Sequence, residues 1–176
     1  ATETPGIKDS RYAALKCKDA IADRIKNARG RRPNSGPDQG RAVVFLHWKD
    51  GKASIYFDTS GEPLPRRGYR LHPWRAPMQE TLAAAVVLTT GWTGQGSFIN
   101  PMCGSGTLAI EAALIATGRA PGLLRTNFGF MHLKDFDAAR WQAIRSDAEA
   151  APDRPLERKI IATDIEPDAV EAARQN

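Results

Sequence analysis

Two cysteines, three histidines and no run of 18 apolar residues set the first limits on this 176-residue chain. Cys17 and Cys103 form no Cys-x-x-Cys pair, and no histidine stands beside either at metal-ligand spacing, so neither a zinc site nor a disulfide framework is expected. His47, His72 and His132 have no ligand-like spacing among themselves and read as structural. The apolar stretch 108–116 is broken by Glu111 and is too short to cross a bilayer. No basic segment followed by an apolar one opens the chain, so no secretory leader is expected, and a reducing, cytoplasmic setting is the default expectation. There is no internal repeat and no Pro-Pro dipeptide. What remains is 41% hydrophobic and 26% charged residues, a balance that argues for a buried core and against wholesale disorder.

The net charge of +5 is unevenly spread. Residues 1–75 hold 16 Lys+Arg and 8 Asp+Glu, whereas residues 76–176 hold 9 and 12. A half at +8 joined to a half at −3 suggests a polyanion-facing module attached to one with a different task. The plainer reading is a solvated basic surface.

Residues 10–28 predict a helix, with Cys17, Ile21 and Ile25 four apart and Gly30 as its stop. Residues 31–40, with Pro33, Asn34, Ser35, Gly36 and Pro37, predict a loop. Two β-branched and aromatic runs, 41–48 and 53–58, flank Asp50-Gly51, a hairpin signature because the tight turn needs positive φ. Residues 62–75 carry Arg66, Arg67, Arg70 and Arg75 interleaved with Tyr69, His72 and Trp74, and three prolines that prevent a regular helix. They predict an extended, exposed linker. Pro77 predicts the first turn of a helix continuing over 79–88 and stopped by Gly91. Ser97-Phe98-Ile99 predicts a strand, 101–106 a tight loop, and 107–117 a helix closed by Gly118. Asp135 predicts the cap of another helix, with Phe136, Ala139, Ala143 and Ile144 on one stripe. Ile160-Ile161-Ala162 predicts a buried strand, and Pro167 opens a helix. The order strand, glycine loop, helix, insertion, strand, helix is that of a doubly wound parallel sheet, an α/β fold. Two strands make no stable sheet alone, so the second half reads as part of a larger domain.

The segment Phe98-Ile99-Asn100-Pro101-Met102-Cys103-Gly104-Ser105-Gly106-Thr107-Leu108-Ala109 carries the most chemistry. Gly104, Gly106 and Ala109 satisfy a G-x-G-x-x-G/A pattern in the strand-to-helix context it requires. Such glycines let backbone approach a ligand, and the helix N-terminus offers free N–H groups. No lysine follows Gly106, which argues against a Walker loop and nucleotide hydrolysis. Nicotinamide or flavin dinucleotides and S-adenosylmethionine both remain compatible with the glycines alone.

Asn-Pro-Met-Cys-Gly-Ser-Gly-Thr followed by Ile110-Glu111-Ala112-Ala113 resembles the first motif of the THUMP-associated class I RNA methyltransferases, nearest the bacterial 23S rRNA guanine-N2 enzymes. The resemblance recurs in order along about residues 12–176: residues 61–70 are similar to the segment leaving the THUMP module, 76–82 to the helix before the cofactor loop, and Ala162-Thr163-Asp164-Ile165-Glu166-Pro167 to the second cofactor motif. It implies S-adenosyl-L-methionine as cofactor, held by Asn100, Pro101, Cys103, Gly104, Ser105, Gly106 and Thr107, with Asp164 accepting from ribose hydroxyls and Glu80 and Thr81 at the polar end. It implies a Rossmann-like methyltransferase sheet over 76–176, a basic linker over 62–75 and part of a small α+β THUMP-like RNA-binding module over 1–61. Large-subunit ribosomal RNA is the implied partner, with no membrane and no metal. Arg66, Arg67, Tyr69, Arg70 and Trp74 suit phosphate contacts and base stacking; the alternative is a linker whose arginines pair with local carboxylates.

Three departures qualify that implication. Asn100 stands where the family usually carries Asp, which predicts weakened cofactor binding. Gly106 and Asp164 are 58 residues apart against about 20 in simple dinucleotide folds, so 119–155 reads as an insertion. The family's Asn/Asp-Pro-Pro-aromatic motif, which grips the target amine, is absent. The expectation is a partial segment that does not catalyse alone, with no catalytic residue of its own. The rivals are a non-catalytic RNA-binding module, and a fragment of an NAD- or FAD-binding oxidoreductase, disfavoured by Pro-Met-Cys before the glycines and by the late acid.

Overall fold

A computed structural model describes residues 6, 9–36 and 40–176, which divide into two compact units. The first comprises the described residues up to Glu62 together with Asn127–Phe136; the second comprises Pro63–Thr126 and Asp137–Asn176. The chain therefore passes between units three times, and the second unit is interrupted by ten residues that belong to the first. Sequence reading treats the units as consecutive, because nothing in the composition of 127–136 marks it as returning elsewhere.

In the first unit, helix α1 spans Ser10–Arg29. Asp9 caps it by accepting from the Arg11 amide, and Gly30 closes it in the left-handed conformation, as expected. Positions 37–39 of the expected loop lie outside the described residues. Arg32, just past the helix, turns back onto Asp19 and Asp23, so part of the basic excess is matched locally. Strands β1 (Val43–Lys49) and β2 (Lys52–Asp58) pair antiparallel in the register Val44↔Phe57, Leu46↔Ile55. The turn is Asp50-Gly51 with φ of 50° and 74°, the two positive values a two-residue hairpin needs. A 3₁₀ turn, Gly129–His132, packs against β2: the Phe130 amide donates to the Thr59 carbonyl at 3.0 Å. Gly129 is required there, since a Cβ would stand 2.2 Å from the Asp58 carbonyl oxygen.

In the second unit, α2 (Glu80–Thr89), β3 (Phe98–Asn100), α3 (Thr107–Thr117), α4 (Ala138–Ala150), β4 (Ile160–Ala162) and α5 (Pro167–Gln175) follow in order. β3 and β4 pair in parallel, Ile99 opposite Ile161. α3 packs against α2 and both strands, and the packing is made of small side chains, with Ala83, Val87, Ala112 and Ala116 buried. The expected strands and the helices at 107 and 167 are present with nearly the predicted limits, but β4 is not the buried strand expected: Ile161 is exposed, and Ile160 and Ala162 are half-buried.

Three expectations need correction. Pro77 lies outside α2, which begins at Glu80 after an extended Gln79. The cap of α4 is Asp137, whose carboxylate accepts from the Arg140 amide, and not Asp135. Its covered stripe is Trp141, Arg145 and Ala148, while Phe136 precedes the helix and Ala139, Ala143 and Ile144 are exposed. The reason is Arg145, whose guanidinium donates to the carbonyls of Leu123 and Arg125 at 2.7 and 2.8 Å; an apolar pattern does not register a stripe centred on arginine.

Candidate functional site

Parallel pairing of β3 with β4 brings two sequence-distant loops together at their C-terminal ends. Asn100 closes β3 and its carbonyl accepts from the Thr163 amide at 2.9 Å, while the Cys103 amide donates to the Thr163 carbonyl at 2.9 Å. The loop then tightens, Gly106 N–H to Cys103 carbonyl at 2.8 Å, and enters α3 at Thr107. Asp164 meets it directly: Oδ2 accepts from the Gly104 amide at 2.9 Å and Oδ1 from the Glu166 amide at 3.1 Å. Those two bonds hold the Asp164 carboxyl below its ordinary range, so it is ionised at neutral pH. A carboxylate has about four acceptor positions, so capacity remains for a ligand's hydroxyls.

The two glycines have different tasks. Gly104, φ 52°, has nothing within 4 Å of where a Cβ would stand and leaves open space over the loop. Gly106, φ 83°, lies against α5, where a Cβ would sit 3.0 Å from the Ala173 Cβ. Asn100 and Ser105 are buried, and Asn100 Nδ2 and Ser105 Oγ find no hydrogen-bond partner among the described residues. Buried polar atoms without partners, an open glycine and the first-turn amides of α3 together fit a polar nucleoside-type ligand. The Cys103 thiol is raised above its ordinary value by burial and, less, by the Asp164 charge, so it is a neutral lining group.

Pro101 and Met102 are exposed in the same loop, and Thr107 is buried at the start of α3. Of the outlying candidates, Glu80 is buried at the first position of α2 and Thr81 is half-buried beside it. The basic segment 62–75 is not uniformly exposed. Tyr69 is buried, and Arg67 and Arg70 keep only 15% side-chain exposure. Glu111 of α3 accounts for Arg67 and Tyr69, and Glu80 of α2 pairs with Arg70. The Glu111 carboxylate accepts from Arg67 Nε and Nη2 at 3.2 and 3.3 Å and from the Tyr69 hydroxyl at 2.9 Å. Burial, then the Glu111 charge, raises the Tyr69 phenol far above its usual value near 10, so it stays a donor. Arg66 and Arg75 are exposed and Trp74 half-exposed, with the Arg75 guanidinium 5.3 Å from the Trp74 ring centre.

Sequence reasoning missed Ile165, which follows the acid directly and is 93% exposed. A branched apolar side chain left in water at the rim of a polar loop is a signal, but only exposure reveals it. Asn176 was also missed: its side-chain amide donates to the Ser105 carbonyl at 3.1 Å and accepts from the Leu71 and His72 amides at 2.8 Å. Among the described residues no cluster of three potential metal ligands occurs and no helix is long and apolar enough to cross a membrane.

A parallel strand pair, a glycine loop opening a helix, and an acid at the end of the neighbouring strand define a nucleotide-binding α/β domain. Comparison with known proteins narrows the class. The profile of the family described as "RMKL-like, methyltransferase domain" matches residues 67–176, and the chain belongs to that family. It is 42% identical over 174 residues to "Ribosomal RNA large subunit methyltransferase K/L" of Psychromonas ingrahamii and 41% identical over 173 residues to the protein of the same description from Photobacterium profundum, each alignment covering 97% of this chain. The chain spans about a quarter of the length of these relatives, 23% and 24%. Among solved structures, SMU.472, described as "a putative methyltransferase complexed with SAH", superimposes with a TM-score of 0.76 at 32% identity, covering 90% of this chain and 41% of that one. The "predicted N6-adenine-specific DNA methylase" of Listeria monocytogenes gives 0.75 at 35% identity with the same coverages.

Proposed function

We propose that this chain supplies the cofactor-holding part of an S-adenosylmethionine-dependent methyltransferase that modifies the exocyclic N2 amine of a guanine in large-subunit ribosomal RNA. The observation that carries the reading is the bond from the Gly104 amide to Asp164, which ties an acid at the end of β4 to an open glycine loop at the end of β3. In this reading Asp164 accepts from the ribose hydroxyls. Asn100, Pro101, Cys103, Ser105 and the amides leading into Thr107 surround the amino-acid end, with Glu80 and Thr81 bordering it, and Ile165 and Met102 offer apolar cover to the adenine ring. Bound there, the cofactor supplies an activated sulfonium methyl. The chain's own contribution is orientation and exclusion of water from the loop.

Residues 1–61 are proposed as part of a THUMP-like RNA-binding module and 62–75 as a basic connection, with Arg66, Trp74 and Arg75 as its RNA-facing members. Arg67, Tyr69 and Arg70 are assigned first to their partners within the second unit. The groups that grip the target amine lie outside this chain, which on its own does not transfer methyl.

Calorimetry on the full-length protein with S-adenosylhomocysteine against NAD tests the cofactor. Binding of NAD with none of the homologue overturns the reading. Nucleoside mass spectrometry of modified ribosomal RNA tests the target. N2-methylguanosine is expected, and N6-methyladenosine would instead favour the adenine specificity named for the Listeria neighbour.

A further inference from the structure

Thr107 is the first residue of α3, directly after the loop glycine Gly106, and its hydroxyl accepts from Arg70 Nη2 at 2.9 Å. The same nitrogen donates to the Met78 carbonyl just before α2, and Nη1 lies 3.5 Å from Glu80 Oε1 at the first position of α2. One guanidinium thus meets three chain segments: the exit of the glycine loop, the approach to α2 and the N-terminus of α2. Its planar fork of donors suits that task; the single ammonium of lysine does not. On either side, the segment is fixed independently. Arg67 and Tyr69 bond Glu111, one helical turn along α3 from Thr107, and the Leu71 and His72 amides bond Asn176, which itself bonds the Ser105 carbonyl. Arg70 Nε is buried without a partner among the described residues. A half-buried cation that leaves one donor without a partner among the described residues gains little stability, which points to what the group positions and away from a purely cohesive role.

We propose that Arg70 is a positioning residue for the glycine loop: it holds the Thr107 hydroxyl and the Glu80 carboxylate in one frame, so that the N-terminus of α3 is set for the cofactor before the cofactor arrives. The proposal rests on the S-adenosylmethionine reading above. It makes residues 67–72 a brace behind the loop, contributing to cofactor affinity without touching the cofactor.

The test uses the full-length protein, S-adenosylhomocysteine calorimetry and steady-state kinetics on ribosomal RNA. Arg70→Lys keeps the charge and loses the fork; Thr107→Val keeps the shape and loses the hydroxyl; Thr107→Ser restores it. Expected are a roughly tenfold weaker affinity in R70K, a smaller loss in T107V, near-recovery in T107S, and a double variant R70K/T107V no weaker than R70K, because both changes remove one path. The kinetic loss falls in KM for S-adenosylmethionine and not in kcat, whereas a fold defect lowers kcat through the active fraction. Additive losses, a fall confined to kcat, or affinities unchanged in both single variants overturn the positioning role. Failure of the unsubstituted protein to bind the homologue overturns the cofactor reading itself, which keeps the two failures distinct.

Discussion

The Tyr69 hydroxyl donates to Glu111 Oε1 over 2.9 Å, joining a segment before α2 to the middle of α3 across 42 residues of chain. Glu111 is 1% exposed, and every acceptor bond it is seen to make comes from Arg67 or Tyr69. Glu111→Ala leaves a guanidinium and a phenol facing a cavity, and an expected loss of about 3–5 kcal/mol follows from stranding a largely buried charge. Tyr69→Phe removes a single donor and is expected to cost about 1–2 kcal/mol. Urea unfolding of both variants checks the order; equal losses would mean that the charge pair contributes nothing beyond the phenol.

The same phenol gives the second unit an alkaline limit. Its folded pKa is raised, so the stabilisation is fully present below pH 10, where the unfolded tyrosine is still protonated. Above pH 10 the unfolded chain releases a proton that the folded chain retains, and stability falls by up to about 1.4 kcal/mol per pH unit from this group. Unfolding midpoints from pH 9 to 11 are expected to drop less steeply in Tyr69→Phe than in the unsubstituted protein.

Asp164 behaves in the opposite sense. Its carboxyl is depressed by the Gly104 and Glu166 amides, so the loop geometry it supports holds above the ordinary value of 3.8 and is lost only as pH falls through a lower one. Affinity for S-adenosylhomocysteine is expected to be insensitive to this group between pH 5 and 8. Asp164→Asn is expected to weaken binding roughly tenfold or more at pH 7.5, since a charged acceptor is replaced by a neutral one. Isothermal titration at several pH values reads both effects.

Alanine at the two loop glycines is expected to separate binding from stability. At Gly106 the new Cβ meets α5 at 3.0 Å and is held at a φ of 83° that alanine disfavours, so Gly106→Ala lowers the thermal midpoint. At Gly104 the Cβ enters open space, so Gly104→Ala carries backbone strain of about 1 kcal/mol and loses cofactor affinity out of proportion to stability. Thermal melts paired with titration distinguish them.

Asn100 offers a change in the favourable direction. Its buried Nδ2 lacks a partner among the described residues, and a carboxylate in its place would attract the ammonium of S-adenosylmethionine. Asn100→Asp is expected to bind the cofactor several-fold tighter while lowering the midpoint of the ligand-free protein, because a buried charge then waits unpaired. Calorimetry together with thermal melts, with and without cofactor, is the check.

Much of this architecture is legible in the residues because local chemistry dictates it. Asp50-Gly51 needs positive φ at a hairpin turn, Gly118 ends α3, Pro167 opens α5, and the run of loop residues between Asn100 and Thr107 admits no regular element. The failures share a different cause. Arg67, Tyr69 and Arg70 read as an exposed basic stretch because their partners, Glu111 and Glu80, lie 10 to 44 residues away, and no periodicity links an arginine in a loop to a carboxylate inside an apolar helix. Glu111 itself registers as a break in an apolar run and as part of the motif stretch 110–113, neither of which points to Arg67 or Tyr69. Residues 127–134 read only as part of the insertion over 119–155 because the contact that organises them, Gly129 against the end of β2, depends on the absence of a side chain.

That returning decapeptide has a bearing on how such a protein can be divided or recombined. A chain started at Pro63 would carry Phe128, Phe130 and Phe136 without the Thr59 carbonyl and β2 backbone that receive the 3₁₀ turn. A chain stopped at Glu62 would leave that edge bare. Neither half is a cassette that can be exchanged by a single cut, and grafting either onto a relative calls for the matching decapeptide to travel with the hairpin.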